Sequence, residues 1–527
     1  MSAPTVTRFN IFLHSQSLLA DLNMIDRRFL RVLLAVLFAC TVLPSLLFKL
    51  ISSPSSAEEE EPTELSYNLS QSRNNRSANI STSEIGLFIS CGKPSLDDFP
   101  SDVMTQQQRQ KGGVALHVFL AFYMVLAIAV ACEDYFVPSL EQITDKLQMN
   151  SDVAGATLMA VGSSAPEFFT SSIGAFITKS DIGLDTIVGS CTYNILFVVA
   201  VSGLASGSAV RMSRWSLLRD SLCYLLSIVA LVVICNDKKV YWYEAFVMVC
   251  MYLLYTIFMY FNEPLQNYFH RIGTSDSESV LTNDASSEKK GLLPKEDESS
   301  RSFSVDIQYS QEVKETDENN ASPFSFPQGT ISRALWVIAL PIKCLFFLTI
   351  PDCRKARWEN WYLVSFTVSL IWIGSFTYVL VWMVTIIGFT AGIPTVIFAF
   401  TLLAAGCSAP ECLSSAIVAR KGYGDMAVAQ TLGSNIFDIL LCLGLPWFLR
   451  TVVEGDHVNV VSGSIFYSTL CLFGTVILLI LCLILNKWYL NKFLAVILFF
   501  FYMCYVSIAT LFGLNVFGDF NHPTCKR

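Results

Sequence analysis

The sequence predicts an all-α membrane protein: a ten-helix core of two inverted repeats, five helices plus five, with an extra N-terminal hydrophobic segment. Three observations predict it. Of 527 residues, 53% are hydrophobic and 15% charged, with mean hydropathy +0.51, unlike an ordinary soluble domain. Apolar runs of about 20 residues recur, the length a helix needs to cross ~30 Å of hydrocarbon. One block of sequence also returns at a fixed offset later in the chain. Lipid offers backbone groups no water to bond, so runs of this length read as helices.

The N-terminal part, 1–52, carries the run Phe29 to Phe48 after Arg27, Arg28 and Arg31. It reads as a signal anchor, with a cleaved signal peptide as the alternative. Residues 53–110 are polar and hold three glycosylation sequons, at Asn68, Asn75 and Asn79, which favour an extracytosolic address. The first repeat block, 111–261, holds expected spans at 113–137, 153–177, 184–204, 215–235 and 241–261. The second, 361–515, holds them at 361–390, 393–419, 426–449, 463–486 and 493–513. Between the blocks, 262–360 reads as a cytosolic loop, rich in Ser, Glu, Asp and Lys up to about residue 330. Its apolar stretch Ala334 to Ile350, interrupted by Pro341 and Lys343, is placed at the cytosolic membrane surface. The tail 516–527 is extracytosolic.

Charge placement checks this orientation. With the sequons outside, Arg211, Arg214, Arg354, Lys355, Arg357, Arg420, Lys421, Lys487 and Lys492 fall inside. Lys179, Lys238, Lys239 and Arg450 fall outside, the asymmetry that the positive-inside rule describes. The net charge of −8 sits largely in the polar segments, and no basic patch suggests nucleic acid. Most of the 16 Cys lie in apolar runs as packing residues, and none has zinc-ligand spacing.

The repeat has an offset of 244 residues. TLMAVGSSAPE at 157–167 aligns without gaps on TLLAAGCSAPE at 401–411, identical at eight of eleven positions. The same offset pairs Gly189-Ser190 with Gly433-Ser434 and Asn194 with Asp438. Five spans per block make the copies cross the membrane in opposite senses, as in transporters that bind substrate near the midplane.

The repeated residues suit hard cations. Glu167 and Glu411 each fall about halfway along an apolar span, where ionisable groups cost about 2.5–3.5 kcal/mol or more and are normally functional. Helical spacing puts Ser163 on the face of Glu167, and Cys407 on the face of Glu411; Ser164 and Ser408 adjoin them. Pro166 and Pro410 lack amide protons and free the carbonyls around Gly162 and Gly406. On the next helix, Ser190 and Asn194 share one face, as do Ser434 and Asp438; these smaller polar groups also suit interhelical hydrogen bonds. Ca²⁺ takes six to eight such oxygens. Asn194 against Asp438 gives the centre three carboxylates: two neutralise Ca²⁺, and the third can balance a further monovalent ion.

An enzyme is not expected. Gly422-Tyr423-Gly424-Asp425 matches the GxGD string of intramembrane aspartyl proteases, yet Asp425 falls in a surface loop and a Pro-Ala-Leu motif is missing. A channel lacks its carbonyl filter.

The chain resembles the potassium-dependent sodium/calcium exchangers of the cation/calcium exchanger superfamily over roughly 95–515. The carrying motifs include KGGVALHV at 111–118, ACEDYFVPSL at 131–140, GSSAPEFFTSSIGAFI at 162–177 and GCSAPECLSSAIVARKGYGDMAVAQTLGSNIFDILLCLGLPW at 406–447. The resemblance implies that Glu167 and Glu411 hold Ca²⁺ or Na⁺ and that Asp438 sets K⁺ dependence. It implies export of Ca²⁺ with K⁺ in exchange for Na⁺ by alternating access, with no cofactor. A potassium-independent sodium/calcium or cation/proton exchanger is the alternative. Two positions depart from the family: potassium-dependent members usually carry Asp at Glu411 and Thr at Cys407. Glu133 and Asp134 match the family at a helix end, either in the ion pathway or as a solvated pair. Partners are membrane lipid, the transported Ca²⁺, Na⁺ and K⁺, and a second copy in a homodimer. The plasma membrane is expected, with an endomembrane organelle as the alternative. Cys91 and Cys525, both outside, are expected to form a disulfide.

Overall fold

A computed structural model describes residues 95–147, 160–207, 209–261, 330–355, 357–420, 422–460 and 465–514. Asn68, Asn75, Asn79, Cys91 and Cys525 lie outside them, as does the start of the expected span 153–177.

In the first copy, α1 (Val114–Ala131) passes through a π-helical turn, Cys132–Phe136, into α2 (Val137–Leu147). This helix runs some ten residues beyond the expected span end at 137. Next come α3 (Ala160–Ser163), α4 (Ala165–Phe176) and α5 (Ile182–Thr192), which continues through a π turn, Tyr193–Val198, into α6 (Val199–Ala205). Strand β1 (Val210–Arg211), α7 (Arg214–Cys235), β2 (Lys239–Val240) and α8 (Trp242–Tyr260) complete it.

The second copy repeats the order. It follows α9 (Thr330–Thr349) and begins with the 30-residue α10 (Tyr362–Ala391). Then α11 (Thr395–Phe398) leads through a π turn, Ala399–Leu403, to α12 (Ala404–Cys407) and α13 (Ala409–Arg420). Helix α14 (Gly424–Phe437) passes through a π turn, Asp438–Leu443, into α15 (Gly444–Glu454). Strand β3 (Val458–Asn459), α16 (Ile465–Leu485), β4 (Tyr489–Leu490) and α17 (Lys492–Gly513) close the chain.

Eight of the described helices are long and apolar enough to cross a membrane, and the bent pair Thr395–Cys407 with Ala409–Arg420 makes a ninth. Most present much of their surface outward; Trp242–Tyr260 is only 28% buried. Ile182–Ala205 is 94% buried. That span is packed between α4 of its own copy and several helices of the second copy.

Two short antiparallel ladders tie the ends. Val210 pairs with Leu490, and Lys239 with Asn459. The first ladder gathers the loops carrying Arg211, Arg214, Lys487 and Lys492 at one end. The second gathers those carrying Lys238 and Lys239 with the loop after Arg450, and Lys179 joins that end through Glu454 at 2.8 Å. Arg211, Arg214, Lys487 and Lys492 are therefore at the opposite end of α7 from Lys238 and Lys239. Helix α9 is docked on the core: Phe346 is fully buried against Tyr135, Trp372 and Phe376.

The copies approach each other closely at one repeated glycine. A Cβ on Gly189 would lie 2.7 Å from the Phe400 Cα and 2.8 Å from its carbonyl oxygen, whereas on Gly433 the nearest contact is the Tyr255 hydroxyl at 3.8 Å. Gly189→Ala should therefore cost about 1–3 kcal/mol through overpacking, while Gly433→Ala is near neutral. Thermal unfolding of the detergent-solubilised proteins checks this, and equal midpoints would contradict the close approach.

A polar cap closes the start of α1. Arg109 Nη1 donates to Asp102 Oδ2 at 2.7 Å and Nη2 to Gln106 Oε1 at 2.7 Å, and His117 Nε2 reaches Asp102 at 3.2 Å. Burial works to raise the Asp102 pKa, but the bonds from Arg109 and His117 outweigh it and hold it below the ordinary 3.8. A depressed folded value adds stability that is complete above the ordinary value and lost as pH falls through the folded one. Asp102→Asn should cost ~1–3 kcal/mol at neutral pH by leaving a buried guanidinium without its counter-charge and replacing a charge-assisted hydrogen bond with a weaker neutral one. The wild-type thermal midpoint should fall towards that of the variant below pH 4, and parallel curves down to pH 3 would contradict it.

Candidate functional site

Each copy contributes a broken helix. The breaks fall at Ser164, between α3 and α4, and at Ser408, between α12 and α13, where the second bends by 47°. The two are built alike. The Ser164 amide bonds the Ala160 carbonyl at 3.0 Å and the Phe168 amide returns to Ser164 at 3.1 Å; Ser408 does the same with Ala404 and Cys412 at 3.1 and 3.0 Å. Pro166 and Pro410, two residues on, take first-turn positions of the following helix, where a missing amide proton is harmless.

The breaks turn each copy's serine to the other copy's glutamate. Ser164 Oγ donates to Glu411 Oε1 at 3.0 Å, and Ser408 Oγ donates to Glu167 Oε1 at 2.9 Å. Ser190 adds a bond to Glu167 Oε1 at 3.2 Å and also contacts the Ser408 hydroxyl. Asn194 Nδ2 donates to Glu411 Oε2 and to Asn435 Oδ1, the latter at 3.0 Å. Ser163 and Ser434 stand beside Glu411, and Ser164 also adjoins Asp438. Glu167, Asp438, Asn194, Ser164, Ser190 and Ser408 are wholly buried, and Glu411 and Ser434 nearly so. The π turns of α5–α6 and α14–α15 open next to Asn194 and at Asp438, a placement common at functional sites.

The arrangement is not fully symmetric. Both Glu411 oxygens are bonded, whereas Glu167 Oε2, Asp438 Oδ2 and Asn194 Oδ1 are buried without hydrogen-bond partners. Among the described residues, no three His, Cys, Asp or Glu side chains converge as a preformed metal cage. Serine and asparagine side chains donate to the two glutamates instead.

Other expected residues sit at the margin. The Ser163 hydroxyl turns back to the Ala160 carbonyl at 3.3 Å. The helix breaks one residue later, so the shared face expected for Ser163 and Glu167 does not run on, and Ser164 takes the central position. Cys407 Sγ lies 3.4 Å from Thr170 Oγ1 of the other copy. Gly162 and Gly406 are buried, where an added Cβ would meet Leu140 and Val125 at 3.1 and 3.0 Å. Asp134 is 5% exposed, in the π turn after α1, with Arg354 stacked on its neighbour Tyr135 at 5.9 Å; it is not a solvated residue. Asp425 accepts from the Met426 amide at 2.9 Å in the first turn of α14, outside the centre.

Three residues of the network went unselected in the sequence: Asn435, Thr170 and Cys442. Asn435 Nδ2 donates to the Cys191 carbonyl at 3.3 Å and fixes Asn194. Its mate at the 244-residue offset is Cys191 and that of Cys442 is Val198, so a search for repeated polar residues passes over both. The stretch GSNIFD held the available signal for Asn435.

Two inverted copies closing over one buried acidic centre define a membrane transporter of the inverted-repeat class. The chain belongs to the sodium/calcium exchanger protein family, which matches residues 117–261 and 361–511. Human sodium/potassium/calcium exchanger 3 is 36% identical, covering 82% of this chain and 86% of its own. Human sodium/potassium/calcium exchanger 5 is 39% identical over 80% and 88%, and mouse sodium/potassium/calcium exchanger 4 is 34% identical over 84% and 88%. A solved structure of the sodium-calcium exchanger NCX_Mj, soaked with Na⁺ and Sr²⁺, aligns with 75% of this chain and 98% of that one at 19% identity and a TM-score of 0.42.

Proposed function

We propose that this protein is a potassium-dependent sodium/calcium antiporter that exports Ca²⁺ together with K⁺ in exchange for Na⁺ by alternating access. The carrying observation is the buried centre itself. Three carboxylates, Glu167, Glu411 and Asp438, share one hydroxyl- and amide-lined network in which Glu167 Oε2, Asp438 Oδ2 and Asn194 Oδ1 lack partners. Buried acceptor oxygens of this kind suit hard cations. Family membership and the names of the relatives support the same ions.

In this reading Glu167 and Glu411 hold Ca²⁺ or Na⁺, Ser163, Ser164, Ser190, Ser408, Ser434 and Asn194 orient or supplement them, and Asp438 balances K⁺. The freed carbonyls near Gly162 and Gly406 add neutral oxygens. An empty centre carries too much negative charge to close away from water, because burying uncompensated charge costs several kcal/mol per ion. Closure with one ion set or the other enforces exchange. The Na⁺ gradient and the membrane potential drive the cycle, at about 2.3 kcal/mol per charge per 100 mV. The sequons then face outward, and the plasma membrane is the expected site.

The test is Na⁺-gradient-driven ⁴⁵Ca²⁺ flux in vesicles, with and without K⁺. Flux that needs both Na⁺ and K⁺ supports the proposal. Proton-driven flux indifferent to Na⁺ would overturn it.

A further inference from the structure

Cys442 lies in the π turn that opens with Asp438 and is wholly buried. Its Sγ is 3.7 Å from Asp438 Oδ1 and 3.8 Å from the Ser164 carbonyl oxygen. The other Asp438 oxygen, Oδ2, is buried without a partner. A thiol is a weak hydrogen-bond donor but a good ligand for soft cations. In a tetrahedral zinc site, sulfur at about 2.3 Å and oxygen at about 2.1 Å from the metal stand about 3.6 Å apart. The sulfur–oxygen separations here are close to that value, so an ion bonded to the sulfur reaches either oxygen with little movement.

We infer that Asp438, Cys442 and the Ser164 carbonyl form a capture point for a thiophilic divalent cation, and that an ion held there blocks Ca²⁺ exchange. This rests on the reading that Asp438 faces the cation path. On binding, the Cys442 thiol gives up its proton to solvent and its sulfur bonds the metal, one proton leaving per ion. Two side chains and one carbonyl make a weaker site than a four-ligand structural zinc centre, so the capture is reversible. The other copy carries Val198 at the matching position, which shows that the fold accepts an aliphatic side chain there. The thiol thus gives one half of the centre a soft edge that its counterpart lacks.

Cd²⁺ is the probe, because it is thiophilic and near Ca²⁺ in size. Na⁺-driven ⁴⁵Ca²⁺ uptake is titrated with Cd²⁺ for the full-length wild type, Cys442→Val and Cys442→Ser, each read against its own uninhibited flux. Mg²⁺ is the hard-cation control. The concentration for half block should rise about tenfold or more in both variants, the scale on which losing a metal contact weakens a site, while the Mg²⁺ response stays put. Equal Cd²⁺ potency in wild type and Cys442→Val overturns the inference; the surface pair Asp456–His457 or the buried pair Asp102–His117 would then be the target. Should a variant transport too little to titrate, ultraviolet metal–thiolate absorbance of the purified proteins decides. A Cd²⁺-induced band present in wild type and undiminished in Cys442→Val also overturns it. Excess Ca²⁺ should suppress the Cys442-dependent band. A band that depends on Cys442 yet ignores Ca²⁺ upholds the capture point and instead removes Asp438 from the calcium site.

Discussion

Glu167→Gln and Glu411→Gln are each expected to abolish Na⁺-dependent Ca²⁺ flux while leaving expression near normal. The two acids are bonded crosswise, Ser408 and Ser190 to Glu167, Ser164 and Asn194 to Glu411. Glutamine keeps an oxygen for these donors and nearly the same volume, so packing at the breaks survives. The lost quantity is charge. A divalent ion entering a centre short of one carboxylate closes with a charge uncompensated, a cost of several kcal/mol, or about 10²-fold and more in rate at 1.4 kcal/mol per tenfold. Glu411→Gln should also disturb Asn194, whose amide would face another amide nitrogen unless the glutamine turns its oxygen inward. Uptake in vesicles matched for protein content measures the effect. Robust transport by either variant would falsify the assignment of the centre.

The architecture was legible because a membrane span announces itself by length and hydropathy, and because residues 157–167 return at 401–411. The repeat was visible only where polar chemistry constrains the side chains. Farther along, α7 and α16 begin 251 residues apart, and α8 and α17 begin 250 apart. The register slips because α15 is four residues longer than α6 and the loop after it is two residues longer, and outward-facing helices need only be apolar. Sequence could not fix where the helices break. Proline at 166 and 410 announced a kink, but the side chain turned inward depends on whether the break falls at residue 163 or 164. One residue of slip changes the facing direction by about 100° on a helix of 3.6 residues per turn. That is why Ser164, and not Ser163, meets Glu411 most directly. Asn435 and Cys442 were hidden for a different cause: their counterparts 244 residues earlier are Cys191 and Val198, so neither repeats its chemistry, while Thr170, matched by Ser414, meets its partner Cys407 only across the copies.

Asp438→Asn is expected to remove the K⁺ requirement while preserving some Na⁺/Ca²⁺ exchange. The position is one where the first copy carries Asn194, and both residues sit at π turns of matching helices, so an amide is sterically acceptable. Asn194 spends its amide on Glu411 and Asn435. Asp438 has no such donor; its Oδ1 meets the Cys442 thiol at 3.7 Å and its Oδ2 is unpartnered. If the acid existed to cap a helix terminus, its oxygens would be bound to backbone amides. Its open oxygen instead suits a cation that arrives with Ca²⁺. Removing the charge lowers the number of cations needed before the centre can close, so flux should become flat in K⁺ rather than merely smaller. The measurement is ⁴⁵Ca²⁺ flux against K⁺ concentration, with choline as the replacement, for wild type and variant. A wild-type curve already flat in K⁺ would make the protein a potassium-independent exchanger. A variant that stays K⁺-dependent at reduced flux would assign Asp438 a structural role.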